Sequence, residues 1–260
     1  HSGLPTTFTL GELLDMNLPP IEWIASGLLP PGLAILAGAP KSGKSQLAYD
    51  LALAVASGQP FLKQFGTRPS QVIYYDLETG HHLLLRRVAS LMKARGYDRK
   101  AIERHLSFSL VTARGADAVG QLRRDLTANP DVRLIVVDIF AAVRDAAVEG
   151  RSRASAYQVE HDVVQQFRDV CMDHPKLCIL LVHHTNKRAS SMVNDWQEQM
   201  SGTHGIAGTT HTNMLLEKPS KQGISEEDQA LFAKFLILHV VGKAVQPADY
   251  TLAQTGDGST

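Results

Sequence analysis

The segment Gly38-Ala39-Pro40-Lys41-Ser42-Gly43-Lys44-Ser45 fits the pattern of glycine, four residues of any type, glycine, lysine, and serine or threonine. An apolar run, Leu33 to Ala37, precedes it, and a helix-forming stretch opens at Lys44. In that context the chemistry is phosphate binding. Backbone amides of the loop and of the helix N-terminus point at phosphate oxygens, Lys44 supplies a point charge between the outer phosphates, and Ser45 offers a hydroxyl to Mg²⁺. The expected ligands are therefore a phosphate chain and Mg²⁺. A chance glycine-rich turn would not need both the strand before it and the helix after it. Lys41 is either a solvated basic residue or a further phosphate contact.

Two acids stand at the ends of apolar runs. Val72 to Leu77 leads into Glu78-Thr79-Gly80, which puts a carboxylate where ligands bind in open α/β sheets. Glu78 there can orient water against a terminal phosphate, or it can be a solvated acid before a helix; Asp76, on the same strand, is the first replacement candidate. Arg133-Leu134-Ile135-Val136-Val137-Asp138 is a buried-strand pattern closed by an acid, the form of a Walker B carboxylate that holds Mg²⁺ through water. Its rival is an Asp capping the next turn. A third run, Cys178 to Val182, ends in His183-His184. Adjacent strand residues face opposite sides, so the two imidazoles are poorly placed to share a metal ion. One of them, His184 at the tip, is expected to sense the terminal phosphate.

These groups must be held by a scaffold, and the chain alternates strand-length apolar runs with amphipathic helical stretches. Expected strands are Leu33 to Ala37, Val72 to Leu77, Leu106 to Val111, Leu134 to Asp138, Cys178 to His183 and Met214 to Glu217. Expected helices are Lys44 to Ser57, His82 to Arg95, Ala116 to Ala128 and Ala156 to Met172, the last with Val159, Val163, Phe167, Val170 and Cys171 on one buried face. The fold class is α/β: a mostly parallel sheet flanked by helices, with a late antiparallel edge hairpin from Ala233 to Val241 and Asp249 to Ala253. Residues 1–260 read as one domain, with 1–30 a lead-in segment packed on its edge and 255–260 frayed. With 26 Lys plus Arg against 26 Asp plus Glu, a globally basic nucleic-acid coat protein is disfavoured, though a local basic loop is not. No apolar run is long enough to span a membrane. The two cysteines, Cys171 and Cys178, read as buried free thiols in a reducing cytosol.

In this order, the loop, Glu78, Asp138 and the His183-His184 tip resemble the RecA-like P-loop ATPases, most closely the RepA-type hexameric replicative helicases of plasmids and related phage and plasmid ATPases. The resemblance runs from Ile21 to Leu252 and extends to Trp23 to Gly32, Ala52 to Gly58 and Tyr74 to Gly80. It implies a catalytic role for Glu78, Mg²⁺ binding by Asp138, coupling of nucleotide state to a DNA-binding loop by His184, and homo-oligomeric rings of six with nucleotide between subunits. One departure stands out. Where such helicases place an arginine finger at the head of the Ser201-Gly202-Thr203 segment, this chain has Ser201 and no arginine nearby. Lys243 is then the nearest basic substitute acting in trans, or else a surface lysine of a turn.

By the same resemblance, single-stranded DNA would meet the loops after the second acid and after the histidines. The first, Phe140 to Ser155, carries Arg144, Arg151 and Arg153; the second, Thr185 to Met200, carries Lys187, Arg188 and Trp196. Weak charge per copy can bind a backbone when several copies line one pore. Two functions follow. The first is an Mg²⁺-dependent ATPase, a ring helicase that couples hydrolysis to translocation or unwinding of single-stranded DNA in replication. The other is an ATP-gated protein that binds DNA or a replication partner and hydrolyses slowly without unwinding.

Overall fold

Runs such as Leu33-Ala34-Ile35-Leu36-Ala37 are apolar at every position, so they form strands buried on both faces. The computed structural model describes residues 7–112, 116–143, 153–185, 208–219, 229 and 231–254. Its strands are β1 (Gly32–Gly38), β2 (Gln71–Asp76), β3 (Leu106–Ser109), β4 (Val132–Asp138), β5 (Cys178–His184), β6 (Thr212–Glu217), β7 (Phe235–Gly242) and β8 (Ala248–Ala253). They join one sheet in the order β3-β2-β4-β5-β1-β6-β7-β8. Pairing is parallel from β3 through β6; β7 is antiparallel to β6, and β8 to β7.

Alternate residues of each strand feed two cores. Leu36, Tyr74, Val136 and Leu180 face α2 (Lys44–Ser57), α3 (His81–Arg95) and α4 (Arg99–Ile102). Ile35, Tyr75, Ile135 and Leu181 face α5 (Ala116–Ala128) and α6 (Arg153–Asp173). Helix α2 is apolar on nearly every side and buried from Leu47 to Ala56, with alanines at 48, 52, 54 and 56 that let it lie close to the sheet. On α6 the buried stripe is Val163, Val164, Phe167, Val170 and Cys171, while Val159 is only half-buried. Each such side chain contributes about 1.5–3 kcal/mol of burial. Both cysteines are buried and unpaired, and burial pushes the Cys171 thiol up to about 12.

Several boundaries differ from the sequence expectation for local reasons. Strand β2 stops at Asp76, because that side chain accepts from the Thr79 amide and hydroxyl and closes a turn. Strand β3 stops at Ser109, whose hydroxyl bonds the Val111 carbonyl at 2.8 Å. The late hairpin starts at Phe235, since Ala233 still bonds back to Gln229 in a helical turn. The lead-in is not only an edge: Ile24, Ala25, Leu28 and Leu29 are core residues. Ahead of them α1 (Leu10–Asp15), held by a Thr9–Glu12 capping box, buries none of its residues. Arg153, expected in a loop, opens α6. Residues 255–260 lie outside the described residues.

Candidate active site at the carboxyl end of the sheet

The loop between β1 and α2 makes a turn that only certain residues permit. Gly38 passes so close to β6 that a Cβ there would meet the Leu216 carbonyl oxygen at 2.4 Å. Gly43, the N-cap of α2, has φ 99°, and Lys41 adopts φ 61° while exposed. Ser42 is buried, and its hydroxyl oxygen has no hydrogen-bond partner.

From the first turn of α2, Lys44 folds back over the loop. Its Nζ donates to the Gly38 carbonyl at 3.0 Å and to the Ala39 carbonyl at 2.8 Å. Only 3% of Lys44 is exposed. Burial lowers its pKa to about 8, opposed by the charges of Asp138 and Glu78. The three groups therefore share one electrostatic neighbourhood.

Asp138, at the end of β4, is buried, and burial raises its pKa against the hydrogen bonds of Tyr74 and Ser45. Its Oδ2 accepts from the Tyr74 hydroxyl at 2.7 Å, whereas Oδ1 is buried without a satisfied hydrogen bond. A buried carboxylate with one oxygen unsatisfied, on a side chain that a serine hydroxyl also reaches, is a donor set suited to a hard divalent cation. The residues present thus fit Mg²⁺. The peptide bond after Asp138 is cis.

Glu78 stands exposed on the turn after β2. That turn is closed by Asp76, which accepts from the Tyr49 hydroxyl at 2.5 Å, the Thr79 amide at 3.0 Å and the Thr79 hydroxyl at 2.5 Å. Asp76 is thereby a strut for the turn, with both oxygens engaged. His184 lies directly beside Gly38 in the β1–β5 register, and the Thr185 amide donates to the Gly38 carbonyl at 3.1 Å. Burial and the Lys44 charge lower the His184 pKa, with Glu78 opposing. His183 faces the other way, its ring 6.2 Å from Phe140.

The structure thus brings together the loop, Lys44, Ser45, Asp138, Glu78 and His184, and sets Lys243 apart. Lys243 follows the last residue of β7, and its amide donates to His211 at the amino end of β6. Gly242 pairs with Thr212 there, so Lys243 sits roughly 20 Å, the height of the strands, from its own loop. It has no place in the site of its own chain. Arg144, Arg151, Lys187, Arg188, Trp196 and Ser201 lie outside the described residues, as does the side chain of Arg153. Phe140, expected to begin a DNA-facing loop, is instead fully buried against Phe167.

Tyr49 and Tyr74, which hold the two buried acids, belong to none of the motifs in the sequence. Their signals were present: Tyr49 follows Ser45 by four positions, one helical turn, and Tyr74 shares a strand with Asp76. A buried phenol needs a partner. Burial drives both pKa values upward, so both hydroxyls stay protonated donors.

No curated protein matches the chain. Among solved structures 544 chains match, a breadth that speaks of a fold and not of a substrate. One is the ATPase domain of G40P, with a TM-score of 0.62 over 88% of this chain and 84% of that chain at 11% identity. The fold is accordingly that of the RecA-like P-loop ATPases. No helix among the described residues is long and apolar enough to cross a membrane. A family model described as an AAA domain matches residues 3–190, most of the chain including the loop, Glu78, Asp138 and His184, and the protein therefore belongs to the AAA-domain ATPase family.

Proposed function

We propose that the protein is an Mg²⁺-dependent ATPase that couples hydrolysis to translocation on, or unwinding of, single-stranded DNA, working as a RepA-like ring of six copies. The observation that carries this reading is the convergence of Lys44, Asp138, Glu78 and His184 at one end of the sheet, with Lys243 at the other.

Each residue has a task in that reading. Loop amides and Lys44 hold the phosphates, and Lys44 exchanges its carbonyl partners for phosphate oxygens. Ser45 and Asp138 hold Mg²⁺, which supplies charge neutralisation across the outer phosphates when bound. Glu78, exposed at the rim, orients the attacking water. His184, in register with Gly38, reads whether the terminal phosphate is present and passes that state to the chain beyond Thr185. Lys243, at the other end of the sheet from its own loop, is proposed to serve the nucleotide of a neighbouring copy. Arg144, Arg151, Arg153, Lys187 and Arg188 are proposed as the contacts to the DNA backbone.

ATP turnover with and without single-stranded DNA, alongside solution mass under ATP and Mg²⁺, tests the reading. Stimulation by DNA in a hexamer is the expected result. Slow turnover that DNA leaves unchanged, in a monomer, would instead favour an ATP-gated binding protein.

A further inference from the structure

Asp76 and Asp138 are cross-strand neighbours at the ends of β2 and β4, and both are buried. Two carboxylates side by side in a core repel and must each be compensated. The compensation is unequal. Asp76 receives three donors, from Tyr49 and from the amide and hydroxyl of Thr79. Asp138 receives the Tyr74 hydroxyl on Oδ2 at 2.7 Å and the side-chain hydrogen bond of Ser45, and its Oδ1 lacks a well-formed hydrogen bond. The two phenols are themselves stacked, with ring centroids 4.7 Å apart at 21°, and both pack against Phe108. Three elements, α2, β2 and β3, therefore fix where the hydroxyls point.

We propose that Tyr74 and Tyr49 are positioning residues that give these two acids separate tasks: Tyr74 turns Asp138 so that one oxygen faces the metal-binding hydroxyl of Ser45, and Tyr49 locks Asp76 onto the turn that carries Glu78. Tyr74 thus serves metal binding, and Tyr49 serves the hydrolytic step. This division rests on the ATPase reading above. It extends that reading by assigning the two functions to different hydroxyls of one aromatic stack.

Tyr→Phe at either site keeps every ring carbon and removes only the oxygen, so the stack survives. For Tyr74→Phe, the affinity for a fluorescent ADP analogue in EDTA is expected to stay within twofold of the parent. The Mg²⁺ concentration that half-saturates the magnesium-dependent gain in binding should rise about tenfold, the usual scale for losing a partner behind a metal ligand. For Tyr49→Phe, EDTA and Mg²⁺ affinities should both be unchanged, while kcat falls about tenfold at constant KM. A purely structural role would instead lower the melting temperature and move both readouts together.

Thr79→Val repeats the Tyr49 arm outside the core, removing a second hydroxyl from the same Asp76 oxygen, and should give the same loss of kcat. Unchanged Mg²⁺ dependence in Tyr74→Phe overturns the proposal, as does full turnover in both Tyr49→Phe and Thr79→Val. A parent protein that does not hydrolyse ATP overturns the ATPase reading itself, while the EDTA and Mg²⁺ binding arms still report on Tyr74.

Discussion

Lys44 should make nucleotide affinity and fold stability respond to pH in opposite directions. Its ammonium is buried on two carbonyl oxygens, and its pKa falls to about 8. At pH 7 about nine in ten molecules carry the charge, and at pH 9 about one in ten. ATP needs the charged form, so affinity should fall roughly tenfold between those values, or about 1.4 kcal/mol. Stability has the other sign. In the unfolded chain the lysine titrates near its ordinary 10.5, so between pH 8 and 10.5 the unfolded state holds more protons and stability rises with pH. The slope is at most about 1.4 kcal/mol per pH unit. Lys44→Met removes both slopes, and the difference between parent and variant isolates this residue from other groups. Lys44→Ala should weaken ATP binding at pH 7 by ~4 kcal/mol, about 10³-fold, from a unit charge ~4 Å from a phosphate oxygen at an effective dielectric of ~20. Loss of the counter-charge to Asp138 and Glu78 adds to it. Titration calorimetry from pH 6.5 to 9.5, paired with thermal melts of the free protein, measures both quantities. Affinity that is flat across pH 8, a Lys44→Ala variant within tenfold of the parent, or parallel slopes for affinity and stability would refute the reasoning.

Glu78→Gln should retain ATP affinity within a few-fold and lose turnover by about 10² or more, seen by comparing binding with single-turnover hydrolysis; an amide keeps the shape of the turn but cannot order water as an acceptor on both atoms. Lys243→Ala and Lys44→Ala proteins, each inactive alone, should regain partial ATPase activity when mixed, because some interfaces then pair an intact loop with an intact Lys243. Parent-level turnover in Lys243→Ala would remove the role in trans, since an ordinary surface lysine matters by only ~0.5 kcal/mol to stability. Asp50, fully buried on α2, accepts from Arg95 at 2.9 Å and from the Tyr97 hydroxyl at 2.9 Å, and burial raises its pKa. Asp50→Ala strands the guanidinium of Arg95 and should lower stability in urea unfolding by about 3–5 kcal/mol.

The loop and its flanking strand and helix were legible from residue types because their chemistry is local. Phosphate binding needs glycines where the backbone turns left-handed or approaches another strand, and the helix that follows begins at Lys44 as expected. Strand positions followed from apolar runs buried on both faces, and helix α5 matched its expected bounds, Ala116 to Ala128. Boundaries failed where a side chain overruled the pattern. Asp76 ended β2 by capping its own turn, and Phe140 looked like the start of a polar loop but fills the core beneath α6.

What the sequence determined by itself was the inventory: a phosphate loop, two acids and a histidine tip, each at the end of an apolar run. Strand order lay beyond it, because pairing between segments a hundred residues apart leaves no local mark. The tertiary structure inserts β5 between β1 and β4, which seats His184 between the phosphate loop and Asp138. It runs β7 back along β6, which carries Lys243 to the far end of the sheet, away from the phosphate loop of its own chain. It also sets Asp76 beside Asp138 and gives them unequal hydrogen bonds, a distinction between two acids that neither residue type nor spacing contains.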